Sequence, residues 1–308
     1  VCHSTKLFTK EFTGTDLHLQ HTPTHGYDRL GLLLVTTILL TIAVVNLSFG
    51  PQYFTSKAIE RFDAQVRLLF ERQKLLQLTW NANVFLYDDQ TLRYLHEHIK
   101  PPSELPLNLT RPQKRDFSQY NQMKTVISDV LKNRTDGVFL EAGAFDGEEM
   151  SNTLQLEREF NWTGILIEAN PQRYQRLAYK NRHAHIWNGC LLNVPSIRQV
   201  TMELNPFHNE KNKFTVACVS MAAIFAALGW TKIDFVSLDI EGYEPDALLS
   251  IPWHSVDVDV FLIECADCNR NAGRDFERKR HFMKTLFDVM GYDEILYLHL
   301  DYVYKKRR

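Results

Sequence analysis

Two acids and two glycines between positions 138 and 168 have the types and spacing of a nucleoside-cofactor site. The run Val138-Phe-Leu-Glu-Ala-Gly-Ala-Phe-Asp-Gly147 carries Glu141 near the end of an apolar stretch and places Gly143 and Gly147 in the turn that follows. Glycine has no Cβ, so such a turn lets backbone approach a ligand closely. A helix-like segment, Ser151 to Phe160, leads into a second apolar run, Gly164-Ile-Leu-Ile-Glu168. Its terminal carboxylate could accept both hydrogen bonds of a ribose diol. Strand, glycine turn, helix, then a strand tipped by an acid is the pattern of a nucleotide-type site. The plainer alternative is an ordinary βαβ turn, whose strand-end acids cap helices and satisfy loop amides.

The elements that must position these groups are legible on either side. Lys114 to Leu131 reads as a helix feeding a strand at Val138–Glu141, and Pro171 to Arg182 as a helix with proline at its start. His185 to Cys190 reads as a third strand, and Val216 to Leu228 mixes strand and helix signals. Phe235 to Asp239 is a strand ending in acid, Glu244 to Leu249 a helix, and Val258 to Glu264 a further strand. Arg274 to Met290 reads as a helix closed by Gly291, followed by a terminal strand pair, Glu294–Leu298 and Tyr302–Lys305. Alternating strands and helices imply a parallel sheet covered on both faces.

Four blocks in order carry a family resemblance: Phe139 to Glu148, Ser151-Asn-Thr-Leu154, Gly164 to Pro171, and Val236-Ser-Leu-Asp-Ile-Glu-Gly242. Together they resemble the FkbM-type S-adenosylmethionine-dependent methyltransferases over roughly residues 90 to 305. The resemblance implies an α/β, Rossmann-like class I methyltransferase sheet with S-adenosylmethionine as cofactor. It assigns Glu141, Gly143 and Gly147 to the turn beneath the methionine and ribose, Glu168 to the ribose hydroxyls, and Asn188 and Cys190 to the adenine edge. Asp239 and Glu241 become a general base or acceptor-orienting pair, since an O-methyl transfer needs a carboxylate near the hydroxyl. Methyl transfer otherwise depends on alignment of nucleophile, methyl and sulfur. Ala142 stands where many relatives carry cysteine, and Asn170 where an aspartate is common.

Within that family the chain most resembles the membrane-anchored Star proteins of arthropods. The shared features are a polar tail, an apolar span, the Pro101-Pro-Ser103 segment and an ending of the type Asp301-Tyr-Val-Tyr-Lys305. This implies a second role, as a non-catalytic adaptor in endoplasmic reticulum to Golgi transport of epidermal-growth-factor-receptor ligands. The partner would then be a membrane-bound growth-factor precursor rather than a small-molecule or glycan methyl acceptor.

The remaining segments fit a membrane-anchored layout. Residues 1–29 read as a polar cytosolic tail, and the opening Val1 places the natural start upstream. Leu30 to Phe49 is uncharged over the length of a transmembrane helix, whereas a cleaved signal peptide would have a shorter apolar core. Residues 50–106 read as a helical stalk and linker broken by Pro101, Pro102 and Pro106, leaving 107–308 as the methyltransferase-like domain. Basic residues flank the span on both sides, so charge does not decide its orientation. Asn108-Leu-Thr, Asn133-Arg-Thr and Asn161-Trp-Thr are glycan-acceptor triplets and favour a lumenal domain in the secretory pathway.

Cys190 and Cys218 could pair, and Cys265 and Cys268 could be a short-loop disulfide or free thiols, three pairings being open to four cysteines. The histidines of the tail are too irregular for a metal site, so no metal is expected. A net charge of -2 gives no reason to expect nucleic acid.

Overall fold

The computed structural model describes residues 87–203, 213–265 and 274–308. The tail, the apolar segment 30–49, most of the predicted stalk and Cys268 lie outside the described residues. Among the described residues no helix is long and apolar enough to cross a membrane.

Helix α1, Asp89–His98, begins where Asp88 accepts a hydrogen bond from the Thr91 amide at 2.7 Å. It forms part of the stretch read as stalk and linker, yet Leu95 is fully buried in the core and Lys100 bridges Ile186. The long helix expected from Lys114 is reduced to α2, Gln122–Thr125, continued by a π-helical turn, Val126–Val130. Before it, Asp116 accepts from the amides of Ser118 and Lys124 at 3.0 Å each, and Asn121 turns left-handed at φ 56°. These side-chain bonds hold the chain in a turn that competes with the helix.

The chain then alternates. Strand β1 is Val138–Ala142, α3 Leu154–Phe160, β2 Thr163–Glu168, α4 Pro171–Tyr179, β3 His185–Asn188 and β4 Cys190–Leu191. Next come β5 Arg198–Glu203, β6 Lys213–Val219, α5 Met221–Leu228, β7 Lys232–Leu238 and α6 Glu244–Leu249. Strand β8 is Asp257–Glu264, α7 Arg274–Val289, β9 Tyr292–Leu298 and β10 Asp301–Lys306. Seven strands form one sheet in the order β3-β2-β1-β7-β8-β10-β9, parallel except for β10, which is antiparallel to both neighbours. This is the Rossmann-like sheet expected from the sequence.

Alternate residues of each strand feed opposite faces, which is why the apolar runs are continuous. Leu140, Ile165, Val236 and Phe261 join α5, α6 and α7 on one side. Phe139, Leu166, Phe235 and Leu262 meet α2, α3 and α4 on the other. Strand order reverses between β1 and β7, so the helices flanking that point diverge and leave a crevice at the carboxyl ends.

The stretch read as a single third strand is split at Gly189. Cys190 and Leu191 instead pair with β6 in a separate three-stranded sheet, β4-β6-β5, which the sequence reading did not contain.

Candidate active site

Five acids collect at one edge of the large sheet because each sits where a strand ends or begins there. Glu141 is the next-to-last residue of β1, Glu168 and Glu264 close β2 and β8, Asp239 follows β7, and Asp301 opens the antiparallel β10 opposite Glu264. A cavity of about 150 Å³ opens at this edge. Glu141, Gly143, Glu168, Cys190, Asp239 and Glu241 all line it. Gly147 and Asn188 do not.

Asn188 turns its amide back, donating from Nδ2 to the carbonyls of Glu168 and Ala169 at 2.8 and 3.1 Å. The glycines make room for protein. A Cβ on Gly143 would lie 1.8 Å from the Asp239 carbonyl oxygen, and one on Gly147 would lie 2.3 Å from Leu177. Gly143 thus lets the turn after β1 close against the end of β7, with positive φ at both glycines.

The acids differ in what holds them. Glu168 is fixed by two backbone amides, accepting from Phe145 at 2.8 Å and Asn170 at 2.7 Å, and burial pushes its carboxyl up to about 7. Glu141 accepts from the Asn152 amide at 2.7 Å, from Ser151 Oγ at 3.0 Å and from Thr153 Oγ1. Burial still raises its carboxyl above the ordinary value. These bonds explain why the helix begins at Leu154 rather than Ser151. The residues before it are folded over a buried carboxylate, and Ser151 Oγ accepts from the amides of Thr153 and Leu154. Beneath this turn the fully buried Arg182 pairs with Glu157 at 2.8 Å and reaches Gly147 O and Thr153 Oγ1.

Asp239 and Glu264 hydrogen-bond to each other, and burial followed by this contact drives Asp239 well above the usual carboxylate range. Glu264 is raised as well, chiefly by burial. Each carboxyl of the pair therefore holds a proton more tightly than an exposed acid does. Asp301 is pushed up to about 7 by burial and then by Asp239, and accepts from Gln122 Nε2 at 2.9 Å. Gln122 also reaches Asn152, whose Nδ2 donates to Ser237 Oγ at 3.0 Å, so a buried polar chain runs across the cavity floor. Glu244 accepts from the amides of Ile240 and Gly242, shaping the loop that presents Glu241, and burial raises it to about 7.

The walls include residues that the motif reading passed over. Arg173 stacks over the Phe145 ring at 4.9 Å. Met202 and Phe214 reach in from the small sheet, which the Cys190–Cys218 disulfide ties to the cavity rim. Cys265 is also disulfide-bonded. Asn170 caps α4 through Oδ1, yet its Nδ2 has no hydrogen-bond partner although the residue is 1% exposed. An orphaned buried donor on a cavity wall is a place for a ligand acceptor. Its signal in the sequence was Asn170 standing beside Glu168, but only its burial exposes the missing partner. Among the described residues no group of histidine, cysteine and acid side chains could hold a metal ion.

A family model for the methyltransferase FkbM domain matches residues 141–302. The chain belongs to the FkbM methyltransferase family. Among solved structures, an FkbM methyltransferase from Methylobacillus flagellatus is 16% identical, with 75% of this chain and 59% of that one covered, at a TM-score of 0.35. A precorrin-6y C5,15-methyltransferase from Geobacter metallireducens is 10% identical over 65% and 98% of the two chains, at 0.36. A putative S-adenosyl-L-methionine-dependent methyltransferase from Methanococcus maripaludis is 12% identical over 71% and 93%, also at 0.36. No curated protein matches the chain. The assignment rests on the family match.

The cofactor of the FkbM domain is S-adenosylmethionine. The residues present fit it. Apolar walls from Ile167, Leu191 and Phe214 suit a flat base, the unpartnered Asn170 amide offers a donor, and Glu168 keeps lone pairs for hydroxyls. Buried acids with raised pKa values suit a ligand that carries positive charge, because a nearby cation favours their ionised forms.

Proposed function

We propose that this FkbM domain performs S-adenosylmethionine-dependent O-methyl transfer, anchored by Leu30–Phe49 with the domain in the lumen of the secretory pathway. The observation that carries the enzymatic reading is the cavity where β1, β2 and β7 end, which gathers Glu141, Glu168, Asp239 and Glu241 from three separate sequence blocks. When bound, S-adenosylmethionine supplies a methyl group made electrophilic by its sulfonium. The chain does the rest. Glu168 and Asn170 would hold the nucleoside, and the small sheet screens it from water. Asp239, hydrogen-bonded to Glu264, would receive the proton of an acceptor hydroxyl once the pair is ionised, and Glu241 would orient that hydroxyl. The Cys190–Cys218 disulfide supports a lumenal setting, since such bonds persist in oxidising compartments.

A second reading has support of its own. Every oxygen of Glu141 and Glu168 already accepts a hydrogen bond from the protein, so these acids also serve a purely structural purpose. That suits a Star-like adaptor that carries membrane-bound growth-factor precursors from endoplasmic reticulum to Golgi and retains the fold without turnover. Calorimetric titration of S-adenosylmethionine into the detergent-solubilised full chain separates the two. Micromolar binding that weakens at least about tenfold in Glu168→Ala supports the enzyme. A folded chain that takes up no cofactor sinks it and leaves the adaptor.

A further inference from the structure

The three glycan-acceptor triplets are independent of the cavity chemistry, and the fold keeps all three off the cavity lining. Asn133 lies in the loop that enters β1, with left-handed φ 53°. Asn161, at φ 57°, lies in the turn that enters β2, where its Nδ2 donates to Asp136 at 2.6 Å. Both are therefore at the amino ends of strands whose carboxyl ends form the cavity. Between Asn161 and Glu168 the six residues of β2 span about 20 Å. Asn108 lies on the flank between the two ends, since Thr110 of its triplet donates its amide to Glu148 in the turn after β1 at 2.7 Å. Asn108 Nδ2 donates to the carbonyl of Tyr179 at 3.0 Å, at the last turn of α4. That helix starts beside Asn170 on the cavity wall and carries the chain about 13 Å away from it over nine residues. All three asparagines are exposed, and none borders the cavity.

We infer that Asn108, Asn133 and Asn161 are N-glycosylated, Asn133 and Asn161 on the pole of the domain remote from the cavity and Asn108 on its flank, so that glycans leave the cavity mouth bare. The inference rests on the lumenal orientation proposed above. The donor is an oligosaccharide carried on a lipid pyrophosphate. Asparagine Nδ2 attacks C1 of the first sugar, the C1–O bond to the pyrophosphate breaks with its electrons, and the amide gives up one proton. One N–H remains on each nitrogen, so the bonds from Asn108 to Tyr179 O and from Asn161 to Asp136 survive modification. The triplets differ in timing. Trp162 is buried, with Nε1 donating to Arg134 O at 2.7 Å, and Thr163 opens β2. The Asn161 triplet is thus accessible to an enzyme before β2 pairs, whereas Asn108 lies in an exposed irregular segment. Occupancy at Asn161 is therefore the lowest of the three.

The test uses the full chain with a C-terminal epitope, made in insect cells and recovered in sealed microsomes. Protease protection of the epitope reads topology, and peptide-N-glycosidase with peptide mass spectrometry reads the sites. The expected result is a protected domain with glycan at Asn108, Asn133 and Asn161, each lost singly in the matching Asn→Gln variant. A protected domain without glycans at these positions overturns the inference and leaves the lumenal reading standing. An epitope digested in sealed microsomes overturns the lumenal reading itself. For the bare cavity mouth, Glu149→Asn creates an Asn-Met-Ser triplet beside Met150, which lines the cavity. Once glycosylated, that variant binds S-adenosylmethionine at least about tenfold more weakly. Enzymatic removal of the native glycans leaves affinity within about twofold, and a larger change refutes their segregation from the mouth.

Discussion

The two edges of the large sheet treat their acids in opposite ways. At the carboxyl edge Glu168 and Asp301 are buried, Asp239 and Glu264 are half-buried, all four are raised, and their partners include amides and one another. At the amino edge, Asp234 pairs with Arg134 at 2.7 Å, Asp257 with Lys306 at 2.6 Å, and Asp293 with Arg307 at 3.0 Å. The amino edge neutralises its charges with neighbouring cations, most of them in water. The carboxyl edge holds back protons that a cationic ligand could displace. One edge maintains the fold, and the other keeps a destabilised set of groups for binding, as functional sites commonly do.

The contrast can be broken at several points. Arg182 is the exception at the cavity end, a buried cation whose pairing with Glu157 anchors the turn under Glu141. Arg182→Met leaves Glu157 buried and uncompensated, so stability measured by urea unfolding should fall by about 3–5 kcal/mol. A loss below about 1 kcal/mol would mean that the turn is held by other contacts.

Next in size is the disulfide. Cys190 and Cys218 are separated by 28 residues, and closing a loop of that order restricts the unfolded chain by about 3–4 kcal/mol. Cys190→Ser with Cys218→Ser should lower the melting temperature and weaken cofactor binding, because the small sheet loses its tie to the cavity rim. Unchanged affinity alongside the lower melting temperature would assign the disulfide to stability alone.

The pH dependence sharpens the comparison further. The Glu168 carboxyl has its folded pKa raised from 4.5 to about 7, so the folded state keeps a proton that the unfolded state has already released. Stability conferred by this group is therefore fully present below about 4.5 and falls as pH rises through the window to 7, by on the order of 3 kcal/mol. Glu168→Gln should flatten that part of a stability–pH profile. Binding of the cationic cofactor should release protons in the same window, detectable as a buffer-dependent enthalpy in calorimetry. A wild-type profile that rises from pH 5 to pH 7 would contradict the assignment.

The smallest effect belongs to the amino edge. Lys306→Ala removes a pair whose side chains are 42% and 54% exposed, and should cost under about 1 kcal/mol with no change in cofactor affinity.

The sequence alone determined the local framework. Continuous apolar runs from Val138, Gly164, Phe235 and Val258 could only be strands buried on both faces, and their terminal acids had to meet at one edge once the strands were parallel. The family blocks then carried the cofactor. Where short polar side chains compete for backbone, as at Asp116 and Ser151, periodicity overstated the helices.

Tertiary structure decided what depends on residues far apart in the chain. It chose the Cys190–Cys218 pairing by placing those residues in register on neighbouring strands 4.4 Å apart at Cα. It folded β5 and β6 over the cavity, turned Asn188 away and left Asn170 with a donor to offer. It also brought the Gly143 turn against the end of β7. Propensity and pattern act over a few residues, whereas burial and hydrogen-bond satisfaction are settled only when distant segments pack. The acids could therefore be named from the sequence, but which of them bond to each other, cap a turn or line the cavity could not.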